Sequence, residues 1–130
     1  MKYITISTQK EKEVVDITER IRKECPENAT GVCIITVLHT TAALSVADLD
    51  PGTDLDMLDA FYGMVPSLDY RHPHDPAHVP DHILSTLIGV TQVCPVEEGR
   101  LVLGTWQRIV LFEFNGPKER NITLLFSKEM

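Results

Sequence analysis

TQVCPVEEGRLVLGTWQRIVLFEFNGPKERNITLLFSK, residues 91–128, decides the fold. It breaks into four β-rich runs: TQVCPV from Thr91, RLVLGTW from Arg100, RIVLFEFN from Arg108 and NITLLFSK from Asn121. EEG, the Trp106-Gln107 corner and NGPKER separate them, so each pair of neighbours reads as antiparallel strands joined by a turn. Upstream, GVCIITVLH (residues 31–39) is β-branched and almost wholly apolar, as a strand covered on both faces would be. ALSVADL follows through the tight HTTA connection, and KYITIST alternates near the N-terminus.

Helices fall between these strands. Ile17, Ile21 and Cys25 share one helical face, with Asp16 or Thr18 as cap and Pro26 as stop. Asp54 to Val65 carries the stripe Leu55, Leu58, Phe61, Tyr62 and Val65, with Asp54 and Asp56 in the first turn, where the helix dipole favours acids. Pro80 suits the first turn of a third helix that Gly89 closes. Between the last two, PSLDYRHPHDPAHVP reads as a loop, and Pro80 disfavours helical geometry at Val79. Strands at both ends with helices between make an α+β class: a single domain over 1–130, with an antiparallel, sandwich-like core and two to three short helices. The strand edges and the apolar end sheet favour self-association.

Charge narrows the function. The net charge is −7, and residues 48–81 hold eight acids against one base, Arg71. A chain so balanced has no broad basic surface for nucleic acid. No apolar run is long enough to span a bilayer, and the start has no secretory pattern. Three cysteines without a CxxC argue against a disulfide framework or a thiolate zinc knuckle. A reduced, cytoplasmic protein is expected.

Four of the five histidines, His72, His74, His78 and His82, fall in or beside the acidic segment. That crowding reads either as a cation site or as a solvated flap. His74 and His78, flanked by prolines and Asp75, read as loop residues, whereas His82 opens a helix above Ile83, Leu84 and Leu87. His39 ends a rigid strand, a good mounting for a ligand or a proton-transfer group, and the Thr40 and Thr41 hydroxyls beside it suit an oxyanion or a water. The alternative is a satisfied strand-end histidine. Arg100, Arg108, Lys118 and Arg120 are phosphate partners or plain solvating groups; Trp106 stacks on a heterocycle or fills the core. No GxSxG, GxxxxGK[ST] or GxGxxG occurs, so a hydrolase elbow and the common phosphate loops are absent from the sequence.

The order HTTAALSV (from His39), an acidic helix, Tyr70-Arg71-His72, Pro80-Asp81-His82-Ile83, Leu87-Ile88-Gly89 and GRLVLGTWQ (from Gly99) resembles the YjbQ-type family, labelled secondary thiamine-phosphate synthase. The resemblance covers nearly the whole chain. It implies a compact α+β trimer whose site gathers His39, His72 and His82, with Gly104 to Gln107 close by. Thr40, Thr41, Thr105, Trp106, Gln107 and Arg108 are then the substrate-side candidates. The implied activity joins an aminopyrimidine diphosphate to a thiazole phosphate and releases pyrophosphate. The chain departs from the family pattern at Ala47-Asp48-Leu49-Asp50-Pro51, where an N-E-N precedes the D-P, and at Pro73 to Val79, which leaves His78 without a counterpart.

The expectation is therefore a metal-assisted, homotrimeric enzyme acting on a phosphorylated small molecule. A divalent metal on His39, His72 and His82, supported by Asp48, would neutralise the diphosphate, with Arg108 or Arg120 on phosphate. Three imidazoles suit zinc; magnesium, the usual diphosphate partner, prefers oxygen. The competing reading is a metal- or small-ligand-binding trimer without turnover, and behind it a structural trimer with incidental histidines.

Overall fold

Unbroken apolar, largely β-branched sequence from Gly31 to Val37 needs cover on both faces, and the rest of the fold is arranged to provide it. In the computed structural model, which describes residues 1–128, the order is β1 (Lys2–Ser7), β2 (Glu13–Asp16), α1 (Thr18–Glu24), β3 (Gly31–Val37), β4 (Ala42–Ala47), α2 (Thr53–Met64), a single 3-10 turn (Pro76–His78), α3 (Val79–Ile88), β5 (Thr91–Glu97), β6 (Arg100–Leu101), β7 (Arg108–Glu113) and β8 (Glu119–Lys128). One sheet has five strands in the order β1-β8-β3-β5-β6, and the other three in the order β2-β7-β4. Every pairing is antiparallel.

The sheets pack face to face. Ile4, Cys33, Ile35, Ile122 and Leu124 from the larger meet Leu44, Ile109 and Leu111 from the smaller, and Ile17 and Ile21 of α1 fill one open side. The other face of the small sheet presents Ala43, Val110, Phe112 and Phe114 to Leu58 of α2 and Leu84 of α3. The resulting layers are sheet, sheet, helices, which bears out the expected α+β sandwich. Being covered on both faces explains why RIVLFEF is nearly continuous in apolar residues. Among the described residues the outer face of the large sheet has no such cover: the register places Leu125, Ile34 and Val93 in one row across β8, β3 and β5.

Three expectations need correction. The run from Arg100 to Trp106 is not one strand, because β6 pairs only at Arg100 and Leu101. Gln107 ends the extension: its N–H donates to the Gly104 carbonyl (3.1 Å), and the Gly104 N–H donates back to its side-chain Oε1 (2.8 Å). A tight turn results, with Trp106 exposed at its tip. The second correction is at Val79, which is helical (φ −62°, ψ −38°) and opens α3, so that Pro80 lies within the first turn where no N–H is required. The third is the strand expected over ALSVADL, which runs instead from Ala42 to Ala47.

Antiparallel pairing sets where the site forms. β3 ends beside the start of β8 (Val37 opposite Ile122), and β4 begins beside the end of β7 (Ala42 opposite Glu113). The His39-Thr40-Thr41 turn therefore crosses from the large sheet to the small one, against the β7–β8 connection.

A cationic cleft walled by histidines

His39 is held by a neighbour remote in sequence. The Asn121 backbone N–H donates to its Nε2 (2.8 Å), so that nitrogen is unprotonated and Nδ1 carries the hydrogen. Burial pushes the His39 pKa down, and the Arg120 and Lys118 charges lower it further against the opposing pull of Glu113. The ring is neutral.

His82 comes from the first turns of α3 and adopts the reverse tautomer. Its Nδ1 lies 3.0 Å from the Thr40 carbonyl, which only accepts, so Nδ1 is the protonated nitrogen and Nε2 keeps its lone pair. One turn on, the Ser85 hydroxyl donates to the Ala42 carbonyl (2.6 Å), which lays α3 along the histidine turn. The flap preceding α3 brings His72 over His82, rings stacked at 5.4 Å and 10°. His72 Nδ1 accepts the backbone N–H groups of His74 (3.2 Å) and Asp75 (3.1 Å), which leaves the hydrogen on Nε2.

His78 also lines the cleft, although it had read as a solvated loop residue. Its Nε2 faces Asp75 (3.0 Å) and its Nδ1 faces Asp81 (2.9 Å), so it clasps the flap to α3. Asp81 is buried and also accepts from Tyr62 Oη (2.8 Å) and Lys12 Nζ (3.1 Å). Burial and the Asp81 carboxylate drive the Tyr62 pKa upward, so the phenol remains a donor. His74 stays on the surface.

Beneath the cleft lies a buried ion pair. Arg120 Nε donates to Glu113 Oε1 (2.9 Å), and its NH2 donates to Glu113 Oε2 and to the Thr41 carbonyl (3.1 Å) and hydroxyl (2.9 Å). Thr8 Oγ1 (2.6 Å) and the Asn115 N–H (3.1 Å) complete the shell around Glu113. Burial raises the Glu113 pKa, but Arg120, Thr8 and Asn115 outweigh it and hold the carboxyl below its ordinary value. Thr41, which also lines the cleft, thus holds Arg120 through both its carbonyl and its hydroxyl. Among the described residues no buried side-chain nitrogen or oxygen lacks a partner. The described hydrogen bonds of Arg120 use Nε and NH2, and the residue, 1% exposed, lies at the cleft wall with NH1 outside those bonds.

The cleft has a volume of about 470 Å³; its walls include His39, His72, His78 and His82, the bases Lys118 and Arg120, and one carboxylate, Asp75, which faces His78. The three histidines singled out in the sequence do meet. Asp48, Thr105, Trp106, Gln107 and Arg108 do not join them. Asp48 and Arg108 lie by the Ala47–Arg108 pair, five positions along β7 from Glu113, or about 17 Å at the strand rise. Arg108 is engaged there by Asp16 (2.7 Å) and Glu19 (3.3 Å).

The expected metal set fails on the chemistry of its donors. A neutral imidazole has one lone pair in its ring plane, and backbone N–H groups occupy those of His39 Nε2 and His72 Nδ1. Only His82 Nε2 remains. Among the described residues no group of three His, Cys, Asp or Glu side chains could hold a metal ion. Glu113 and Asp81, which carry the two buried networks, were missed as organisers of the site. A single acid inside RIVLFEF was the available signal for the first.

A family model described as UPF0047 protein YjbQ-like matches residues 2–129. The chain belongs to this family. A UPF0047 protein of Archaeoglobus fulgidus is 37% identical over 120 residues, covering 92% of this chain and 94% of the relative. The crystal structure of a hypothetical protein from Aeropyrum pernix K1 superposes with a TM-score of 0.89 at 32% identity, over 98% of both chains. A YbjQ-like protein of unknown function from Sulfolobus solfataricus P2 gives 0.87 at 35% identity, covering 98% of this chain and 96% of the other. None of these three relatives is named for a reaction. No helix among the described residues is long and apolar enough to cross a membrane.

Proposed function

We propose that the cleft binds a phosphorylated small molecule and catalyses a transfer at it, without a metal held by the three histidines. The observation that carries this reading is the hydrogen-bond assignment: two imidazole N–H donors, on His39 and His72, and one free lone pair, on His82, share a cleft with Arg120 and Lys118. Donors and cations suit phosphate oxygens. They also supply, without a dication, the charge that a diphosphate leaving group develops. His82 Nε2 is the basic nitrogen left to accept an N–H or a proton from the organic part of the substrate.

The named candidate, from the resemblance, is the joining of an aminopyrimidine diphosphate to a thiazole phosphate. The thiazole nitrogen attacks the methylene carbon, the carbon–oxygen bond to the diphosphate breaks, and pyrophosphate leaves with the electron pair. Pyrophosphate release from the two precursors, followed continuously, tests it. His82→Ala, which removes an acceptor for the aminopyrimidine N–H and transfers no proton in this step, is expected to lower turnover by about 10-fold while pyrophosphate still binds. Pyrophosphate binding without turnover in the parent protein would remove the named reaction and leave the binding site. No pyrophosphate binding at all would remove both. Zinc titration tests the metal-free part: His39→Ala and His72→Ala should leave zinc affinity unchanged, whereas a large loss in each would restore the three-histidine centre.

A further inference from the structure

The histidine wall has a second side. His39, Thr40 and His82 line the cationic cleft, and the same three residues line a separate groove of about 520 Å³. The remaining walls of that groove are Ser85, Thr86, Gly89 and Val90, none of them ionisable. Ser85 has already committed its hydroxyl to the Ala42 carbonyl. Gly89 stands at φ +104° with no atom within 4 Å of where a Cβ would be, so the groove is open above it. The apolar surface continues along α3, where Ile83, Thr86 and Leu87 border a further hollow that also begins at His82.

We propose that the substrate carries a neutral, apolar organic body next to its phosphate, and that this body lies in the groove while the phosphate lies in the cleft. The inference rests on the phosphate reading above and gives it a substrate class. A phosphate placed against Arg120, His39 and His72 projects its ester substituent past His39 and His82, because those residues are common to both cavities. A polyhydroxylated sugar there would find only the Thr40 and Thr86 hydroxyls and His82 Nε2 as side-chain partners besides the shared His39, since the Gly89 carbonyl accepts from Leu44 and the Val90 carbonyl from Val37. A planar aromatic or a short hydrocarbon asks for far fewer partners and removes more apolar surface from water.

Calorimetry on the full chain at fixed pH and salt, with inorganic phosphate, glycerol 3-phosphate and 1-naphthyl phosphate, tests this. Naphthyl phosphate is expected to bind at least about 10-fold tighter than inorganic phosphate, a gain that needs only about 55 Å² of buried apolar surface. Glycerol 3-phosphate is expected within about threefold of inorganic phosphate. Thr86→Gln, a neutral change at an exposed helix position, should abolish the naphthyl advantage and leave inorganic phosphate unaffected. Inorganic phosphate binding with no naphthyl advantage overturns the inference alone, as does an advantage that survives Thr86→Gln. Binding of neither ligand overturns the phosphate reading as well.

Discussion

Asn121 offers the cleft only a backbone N–H, yet that donor decides what His39 can do. With Nε2 occupied, His39 is a hydrogen-bond donor through Nδ1. Its lowered pKa has a consequence for stability. The folded state favours the neutral ring, so His39 contributes stability above the unfolded value near 6.5, and that contribution is lost as pH falls below it. Urea unfolding of the parent at pH 7 and pH 5 should show a drop that His39→Gln, which keeps a hydrogen-bonding side chain but cannot titrate, shows less of. An equal drop in both proteins would mean that His39 is not held neutral. Sequence reading found His39, His72 and His82 because residue type and position on strand end, flap and helix are local properties. It missed their tautomers because the partner of His39 is 82 residues away and is main chain, which carries no residue-specific signal.

At the scale of elements, the charged pair joining β7 to β8 is the most exposed to mutation. Glu113 and Arg120 are both buried, and Arg120 also holds the Thr41 end of the histidine turn. Glu113→Ala leaves a guanidinium without its counter-charge, so a loss of about 3–5 kcal/mol is expected by chemical denaturation, together with loss of phosphate binding. The folded Glu113 pKa is lowered, so the pair stabilises the protein above the ordinary carboxyl pKa and ceases to do so as pH falls through the depressed value. α3 depends on Asp81 in the same manner: Asp81→Asn should cost about 2 kcal/mol and release the flap, which the loss of the His72–His82 stacking signature in NMR would report. A change under about 0.5 kcal/mol would mean that the clasp is not formed in solution. Elements with a clear period were legible in the sequence: α2 was expected over Asp54–Val65 and is found over Thr53–Met64. The corner at Trp106-Gln107 was legible, but its start at Gly104 was not, because a glutamine side chain bonding to a backbone N–H three residues earlier leaves the apolar pattern of a strand unchanged.

At the scale of the molecule, the unresolved demand is the outer face of the five-stranded sheet. Tyr3, Val93 and Leu125 are exposed on it, at 71%, 51% and 38% of their full surface. Thr36 and Thr91, whose hydroxyls bond to each other at 3.0 Å, lie one row away. A second layer covers the inner face of that sheet and α2 and α3 cover the small one, so this is the sheet surface left for another copy. We propose a homotrimer. Light scattering at micromolar concentration should give about 44 kDa, three copies of the 14.6 kDa chain. Val93→Asp combined with Leu125→Asp places charges in β5 and β8, on either side of Ile34 of β3 in one row, and should shift the mass to that of one copy, while circular dichroism keeps its β signature. Because the row lies on the face away from the core, the substitutions leave the inter-sheet packing intact, so loss of assembly and loss of fold are separable. A parent mass near 15 kDa would overturn the trimer, and an unchanged trimer in the double variant would move the interface to another surface. The cleft is built within one chain from the β3–β4 turn, the β7–β8 connection, the flap and α3, so on the proposed reading the variant should retain inorganic phosphate affinity even as a monomer. If affinity disappears with assembly, a neighbouring copy contributes a wall that the single chain does not have.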